Sequence, residues 1–540
     1  MKKLIIVFSA ILLVAGCVMM AGCMGENPSS STSDENPTTG TQTQPQTNSQ
    51  LVAEPQYKDK FIMGYGKDPK LKGGDWGIGF FPKTQILEKL VEYDMKNDEY
   101  VPSLAESWEF KDGGKTIIFH LKKGIKFSDG TEFDANAVKF TIDRLIVRKH
   151  SLAPKSAEVI DKYTIAIHSE KPGFFNLAKM AEFHLSIMAP TSVNPVGNPN
   201  GTLITPIGTG PFKVVDYKKD QYSTYEPNMY WYNERGIKPK FKEFVLKVIP
   251  DEDTRIMALR SGEVDGITDF VHGGSEYTPR NQLNVLEKEG FKVYKRDIPI
   301  TWVIAFGYNK EPFNDPELRK AVSLATNRDD IAKVFDDQVR PANNGMFAPE
   351  APGMAKAGIK YEYNPEKARE ILKNKGKEGL KVNIIIDKNQ GDQILVAQLL
   401  QQQLKNAGFD PQLEILESGA YGEKRNSGDY DMRLYYIGGT DRRFYLRMFW
   451  RFYPGGKWSA YESEKVGELC KDILENPKDI DKNNREKDLI AFYKELYDET
   501  GVVPLYHDVM TAVMNPNVDV NQNELFEQAE PQFYGVGVKK

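Results

Sequence analysis

Cysteine is nearly absent: the 540-residue chain has three, and beyond Cys17 and Cys23 near its start only Cys470 remains. A body with one thiol forms no internal disulfide, so its stability must come from the size of its core. Cys470, inside the helical-looking KVGELCKDILE, reads as a buried small hydrophobe. Histidine is also sparse. His120, His150, His168, His184, His272 and His507 are the full set, and no two stand closer than sixteen residues, which excludes a local histidine-based metal motif. No GxSxG elbow and no HExxH occur, and the Gly-rich GTGPF at 208–212 lacks the Lys-Ser/Thr that grips nucleotide phosphates. No enzyme activity and no cofactor are therefore expected. An excess of one charge is missing too, with 71 Lys and Arg against 76 Asp and Glu, so no positive field is available for nucleic acid. A mean hydropathy of −0.51 excludes a polytopic membrane protein.

What is present begins with the one long apolar run. Lys2 and Lys3 precede Leu4 to Met24, an export segment that ends in LVAGC at 13–17 and again in MMAGC at 19–23. Small residues directly before a cysteine resemble a lipobox, which implies lipidation at Cys17 or Cys23. An uncleaved transmembrane helix is the other reading, the run being about long enough to cross a ~30 Å hydrocarbon core. Both place the body outside the cytoplasm, at the cell membrane on its extracytoplasmic side. Residues 24–50 hold five Ser, six Thr, four Gln, three Asn and three Pro without a Lys or Arg. Such a segment cannot bury enough surface to fold and serves as a tether, spanning on the order of 30 Å as a coil.

From about Tyr57 the pattern is mixed α/β. TQILEKLVEY at 84–93 places Ile86, Leu87, Leu90 and Val91 on one face and predicts a surface helix capped by Thr84. KTIIFHL at 115–121 and GIKFSDGTEF at 124–133 read as strands, the second with an Asp129-Gly130 turn. Asp134 predicts the cap of a helix in DANAVKFTIDRLIVR. Further on, KVNIIID at 381–387, a helix carrying Leu395, Leu399, Leu400 and Leu404, a stop at Gly408 and the strand QLEILE form a βαβ unit. A largely parallel sheet is expected there. Two differently built halves predict two lobes, and no internal repeat is evident.

The segment VPSLAESWEFKDGGKTIIFHLKKGIKFSDGTEFDANAVKFTIDRL at 101–145 resembles the signature region of the solute-binding family that serves peptide and nickel importers. The likeness continues through PIGTGPFKVVDYKKDQ and KVIPDEDTRIMALRSGEVD to FGYNKEPFNDPELRKAVSLATNRDDIAKVF and MFAPEAPG, covering nearly all of 57–540. It implies a two-lobed, hinge-connected α/β fold of the periplasmic-binding-protein type. The first lobe would be 57–298 with an extra subdomain, the second 299–500, and 501–540 would return to the first, behind an anchor at 1–23 and a tether at 24–56. The crossings would fall in RDIPITWVIAFGYN at 296–309 and GVVPLYHD at 501–508.

The same resemblance implies the ligand site. The family's specificity loop falls on YYIGGTDRRFYLRMFW at 435–450, where Asp441 matches an acidic position that receives a peptide's amino terminus. Arg442 stands where a proline is usual and Arg443 follows; the pair clamps an anionic group or, alternatively, lies on solvent and neutralises Asp441. Trp302 lies close to the cleft or is a packed core aromatic. Tyr436, Trp450 and His507 complete the candidate set, with Trp458 nearby. FYPGGKWSAY at 452–461 holds no histidine, which argues against direct histidine ligation of nickel. The implied activity is capture of an oligopeptide or small metal chelate by a monomeric lipoprotein that delivers it to an ABC permease and ATPase. A lipid-anchored sensory receptor and an extracellular hydrolase are the rival readings.

Overall fold

The computed structural model describes residues 56–72, 82–94, 97–268, 280–388, 390–438, 444–456, 459–526 and 531–540. Two long strands organise it. Lys292–Phe306 and Val502–Met514 pair antiparallel, with Lys292 opposite Met514 at one end and Ala305 opposite Val502 at the other. Both are rich in β-branched and aromatic residues, and every residue of Val502–Met514 is buried. Their register shifts between Asp297 and Thr301 and again at Val303–Pro504. Pro299 and Pro504 sit at these shifts, where a residue without an N–H costs the ladder least.

Each long strand gives one end to each half of an eleven-stranded sheet. On one side Val502–Met514 continues through Gly266–Thr268, Lys60–Tyr65, Glu243–Val248 and Tyr222–Pro227 to Phe212–Lys218. On the other, Lys292–Phe306 continues through Met432–Gly438 and Lys381–Asp387 to Asp410–Leu416. The predicted βαβ unit is present: Lys381–Asp387 and Asp410–Leu416 pair in parallel around the helix Gly391–Asn406. The sheet as a whole is mixed rather than largely parallel, because the long strands pair antiparallel with each other and with Met432–Gly438. Leu400 and Leu404 of that helix are buried as expected, whereas Leu395 is exposed.

Residues 105–168 form the separate module expected of the signature region. Its four-stranded antiparallel sheet runs Ala105–Lys111, Thr116–Leu121, Thr164–His168, Ser156–Asp161. The helix Ala135–Val147 lies with it, and the Asp134 carboxylate accepts from Asn136 N at 2.9 Å and Ala137 N at 3.2 Å, as a cap should. Two expectations fail. Residues 84–93 do not make a surface helix; one turn, Lys83–Ile86, gives way to the strand Val91–Asp94. All four residues of that turn are buried, and Gln85 donates to Pro531 O at 2.7 Å, so contacts with the C-terminal segment override helical periodicity. Residues 124–133 hold a single bridge, Lys126 to Glu132, about the Asp129-Gly130 turn rather than paired strands.

The module does not stand apart from the second half. One hydrophobic cluster runs from Val91, Phe119 and Ile142 through Phe174 to Tyr445, Cys470, Leu489 and Phe492. Cys470 is fully buried, as its sequence context predicts. At the centre of this seam Arg485 meets Asp98 at 3.2 Å, with side chains 3% and 7% exposed. Tyr93 and Tyr445 donate to the same carboxylate at 3.0 and 2.8 Å. Gly113 also touches the second half: a Cβ there would lie 3.0 Å from Pro477 Cγ.

Candidate functional site

The long strands carry different side chains on their two faces because successive residues point oppositely. On one face Trp302 is 1% exposed and its indole N–H donates to Asp508 Oδ2 at 3.3 Å. The rings of Tyr436 and Tyr506 lie 5.5 and 6.3 Å from Trp302. Gln393 fixes Tyr506 by donating to its hydroxyl at 2.7 Å. Asp508 in turn meets Arg280 at 3.1 Å, both side chains 1% exposed, and Arg280 also donates to Val509 O at 2.7 Å. A buried guanidinium is tolerated only when charge and hydrogen bonds are both met, as here.

The opposite face carries His507, whose Nδ1 lies 2.9 Å from Thr301 Oγ1. Burial, with Arg340 nearby, pushes its pKa down to about 3, against a smaller opposing pull from Glu350, so the imidazole is neutral at pH 7. Arg340 grips Glu350 through two hydrogen bonds of 2.9 and 3.1 Å and approaches Asp297 at 3.3 Å. Further along this face two guanidinium groups approach the Tyr435 ring, Arg433 at 4.0 Å and Arg451 at 4.6 Å from its centroid.

Of the residues singled out from sequence, Trp302 and Tyr436 are brought together, while His507 lies on the other face of the same strands. Trp450 is half-buried in the helix Phe444–Phe452, packed against the seam cluster. Asp441, Arg442, Arg443 and Trp458, like Cys17 and Cys23, lie outside the described residues. Sequence reasoning missed Asp508, Arg280 and the Arg340–Glu350 pair. Asp508 was in view, next to His507 in GVVPLYHD, but Arg280 is 228 positions away and no periodicity links them. Among the described residues no group of three or more His, Cys, Asp or Glu is arranged to hold a metal ion, and no helix is long and apolar enough to cross a membrane.

Two half-sheets joined through a pair of shared strands, with an added antiparallel module, define a two-lobed solute-binding fold. Solved structures agree. NikA from Brucella suis, determined with Fe(III)-EDTA, superposes with a TM-score of 0.75 at 24% identity, covering 89% of this chain and 100% of that one. DppA from Helicobacter pylori, in complex with the peptide STSA, gives 0.70 at 24% identity over 90% and 99%. The sequence pattern of the Bacterial extracellular solute-binding proteins, family 5 Middle, matches residues 99–457, and the chain belongs to that family. The di/tripeptide-binding protein 2 of Pseudomonas aeruginosa is 28% identical over 460 residues, 77% of this chain and 83% of its own. A probable D,D-dipeptide-binding periplasmic protein of Escherichia coli is 26% identical over 85% of this chain and 91% of its own.

Proposed function

We propose that this solute-binding protein captures an oligopeptide or a small, nickel-type metal chelate between two lobes and delivers it to an ABC permease. The observation that carries the reading is the pair of long strands shared by both half-sheets, a two-segment connection of the kind about which domains close on a ligand. Lobe 1 comprises 57–298 with 501–540, and lobe 2 comprises 299–500. The chain performs no chemistry itself. Lipidation at Cys17 or Cys23 would hold it at the outer membrane face, and a double Cys→Ser protein that keeps its mature mass and its partition into detergent would sink that part.

The proposed ligand contacts are Asp441, Arg442 and Arg443 together with Tyr436, Trp302, Trp450 and His507. A zwitterionic peptide would set its amine on Asp441 and its carboxylate on an arginine. An anionic chelate would rely on the arginines alone. Calorimetric titration of the intact protein with tripeptides and with a nickel–histidine chelate separates the two. With peptides, Asp441→Ala should cost on the order of 2 to 5 kcal/mol; with a chelate, Arg442→Ala or Arg443→Ala should do so while Asp441→Ala is mild. Effects all below about 0.5 kcal/mol would mean that the loop is solvated surface. Saturation without compaction in small-angle scattering, or the release of hydrolysis products, would overturn the reading as a whole.

A further inference from the structure

On the seam between the antiparallel module and the second half lies a pocket of about 390 Å³, a volume suited to a small molecule. Three lysines line it: Lys155, Lys171 and Lys179. They differ in what they meet. Lys171 pairs with Glu475 at 2.7 Å and bonds the Tyr453 hydroxyl at 2.6 Å, so its charge is already answered. Lys179, in the helix Phe175–Met180, has no carboxylate within ion-pair range and no hydrogen-bond acceptor among the described residues. Its ammonium lies 5.4 Å from the centre of the Phe175 ring. Burial pushes its pKa down to about 8 against the more distant pull of Glu475 and Glu170, so the site holds a half-buried, partly desolvated ammonium with no carboxylate in contact with it. Part of the wall is apolar: the Phe175 and Phe449 rings stack at 4.7 Å, and Leu474 also lines the pocket. Ser151 and Ser169 add hydroxyls to the lining. With Glu475 held by Lys171, Glu170 is the one other lining carboxylate, leaving three ammonium groups against two carboxylates.

We propose that this pocket is a second ligand site, separate from the cleft at the long strands, that takes a small organic anion: a carboxylate or phosphate on an apolar or aromatic body. The headgroup pairs with Lys179, assisted by Lys155, and the body packs against the stacked Phe175–Phe449 pair. The lining comes from both sides of the seam, so an occupant touches the module and the second half at once. A charge taken out of water is stabilised by a counter-ion placed beside it, and no described residue supplies one to Lys179.

Titration calorimetry of the intact protein with phenyl phosphate tests the site, with benzoate to compare headgroups and benzyl alcohol as the uncharged control. Saturable binding of phenyl phosphate is expected with a dissociation constant of roughly 1 mM, about −4 kcal/mol. Lys179→Met, which keeps the apolar stem, should weaken it at least tenfold. Phenyl phosphate stays a dianion above pH 7, so its affinity should fall between pH 7 and 9.5 as Lys179 loses its proton near pH 8. Benzyl alcohol binding as tightly as phenyl phosphate, an absence of saturable heat, or affinity unchanged by both Lys179→Met and pH would each overturn the proposal. Should Lys179→Met fail to fold, the pH series on the unaltered protein decides.

Discussion

His507 shows what a single buried group does to the whole. Its imidazole sits against Thr301 with burial holding its pKa near 3, so the folded protein keeps it neutral down to acid pH. The unfolded chain protonates it near the ordinary value of 6.5. A depressed histidine therefore leaves stability intact above pH 6.5 and removes it progressively as pH falls from there toward 3. At pH 5 the loss attributable to this residue is about 2 kcal/mol. His507→Asn should flatten the decline in urea-unfolding stability between pH 7 and pH 5 by that amount. His150, held near 4 mainly by its burial, contributes its own slope in both proteins and cancels in the comparison. Equal slopes for the two proteins would show that the ring takes a proton in place, through movement of Arg340 or entry of water.

Among the elements, the strand Met432–Gly438 positions the loop on which ligand choice is proposed to depend, and its last residue fixes how it ends. Gly438 has φ +127°, and a Cβ there would stand 1.8 Å from the carbonyl oxygen of Pro299 on the neighbouring long strand. Only glycine permits both the conformation and the approach. Gly438→Ala should cost about 2 to 4 kcal/mol in chemical unfolding. It should weaken ligand binding besides, because the strand end must move away from Lys292–Phe306; full stability in the variant would show that the two strands part there without cost. Elements of this kind differ in how far sequence reveals them. The helix Ala135–Val147 and the strands Lys381–Asp387 and Asp410–Leu416 were legible because local periodicity, caps and packing agree. Residues 84–93 were misread because Gln85 and Thr84 bond Pro531 and Gln532, partners more than 440 positions away that reverse the local preference. The Trp302–Asp508–Arg280 network was hidden for the same reason. The loop of Asp441, Arg442 and Arg443 was found only through family likeness, since nothing local marks a loop as a ligand contact.

For the molecule as a whole, the question is how lobe closure is reconciled with the seam. The antiparallel module is inserted in the chain of the first half, yet its core is continuous with helices of the second, and Asp98, a few residues before the module, forms a buried ion pair with Arg485 of the second half. If the lobes separate to admit ligand, either the seam opens or the module travels with the second half. Opening it would expose a buried ion pair that is solvated only at the cost of several well-made hydrogen bonds. A cross-link decides between the two. A Cβ built at Gly113 lies 3.2 Å from Pro477 Cβ, close to the 3.5–4.5 Å that a disulfide requires, and the body's one native cysteine, Cys470, is buried with its thiol pKa pushed well up. Gly113→Cys with Pro477→Cys, oxidised in the body from Tyr57 onward, therefore closes the seam without a competing thiol. Because so much apolar surface is shared there, the module is expected to move with the second half although its chain is inserted in lobe 1, so that in motion 105–168 would go with lobe 2, and the oxidised protein should bind and release ligand at rates within about twofold of the reduced one, a difference of ~0.4 kcal/mol. Oxidised protein that retains bound ligand for hours, and releases it once dithiothreitol is added, would show that the seam itself is the gate.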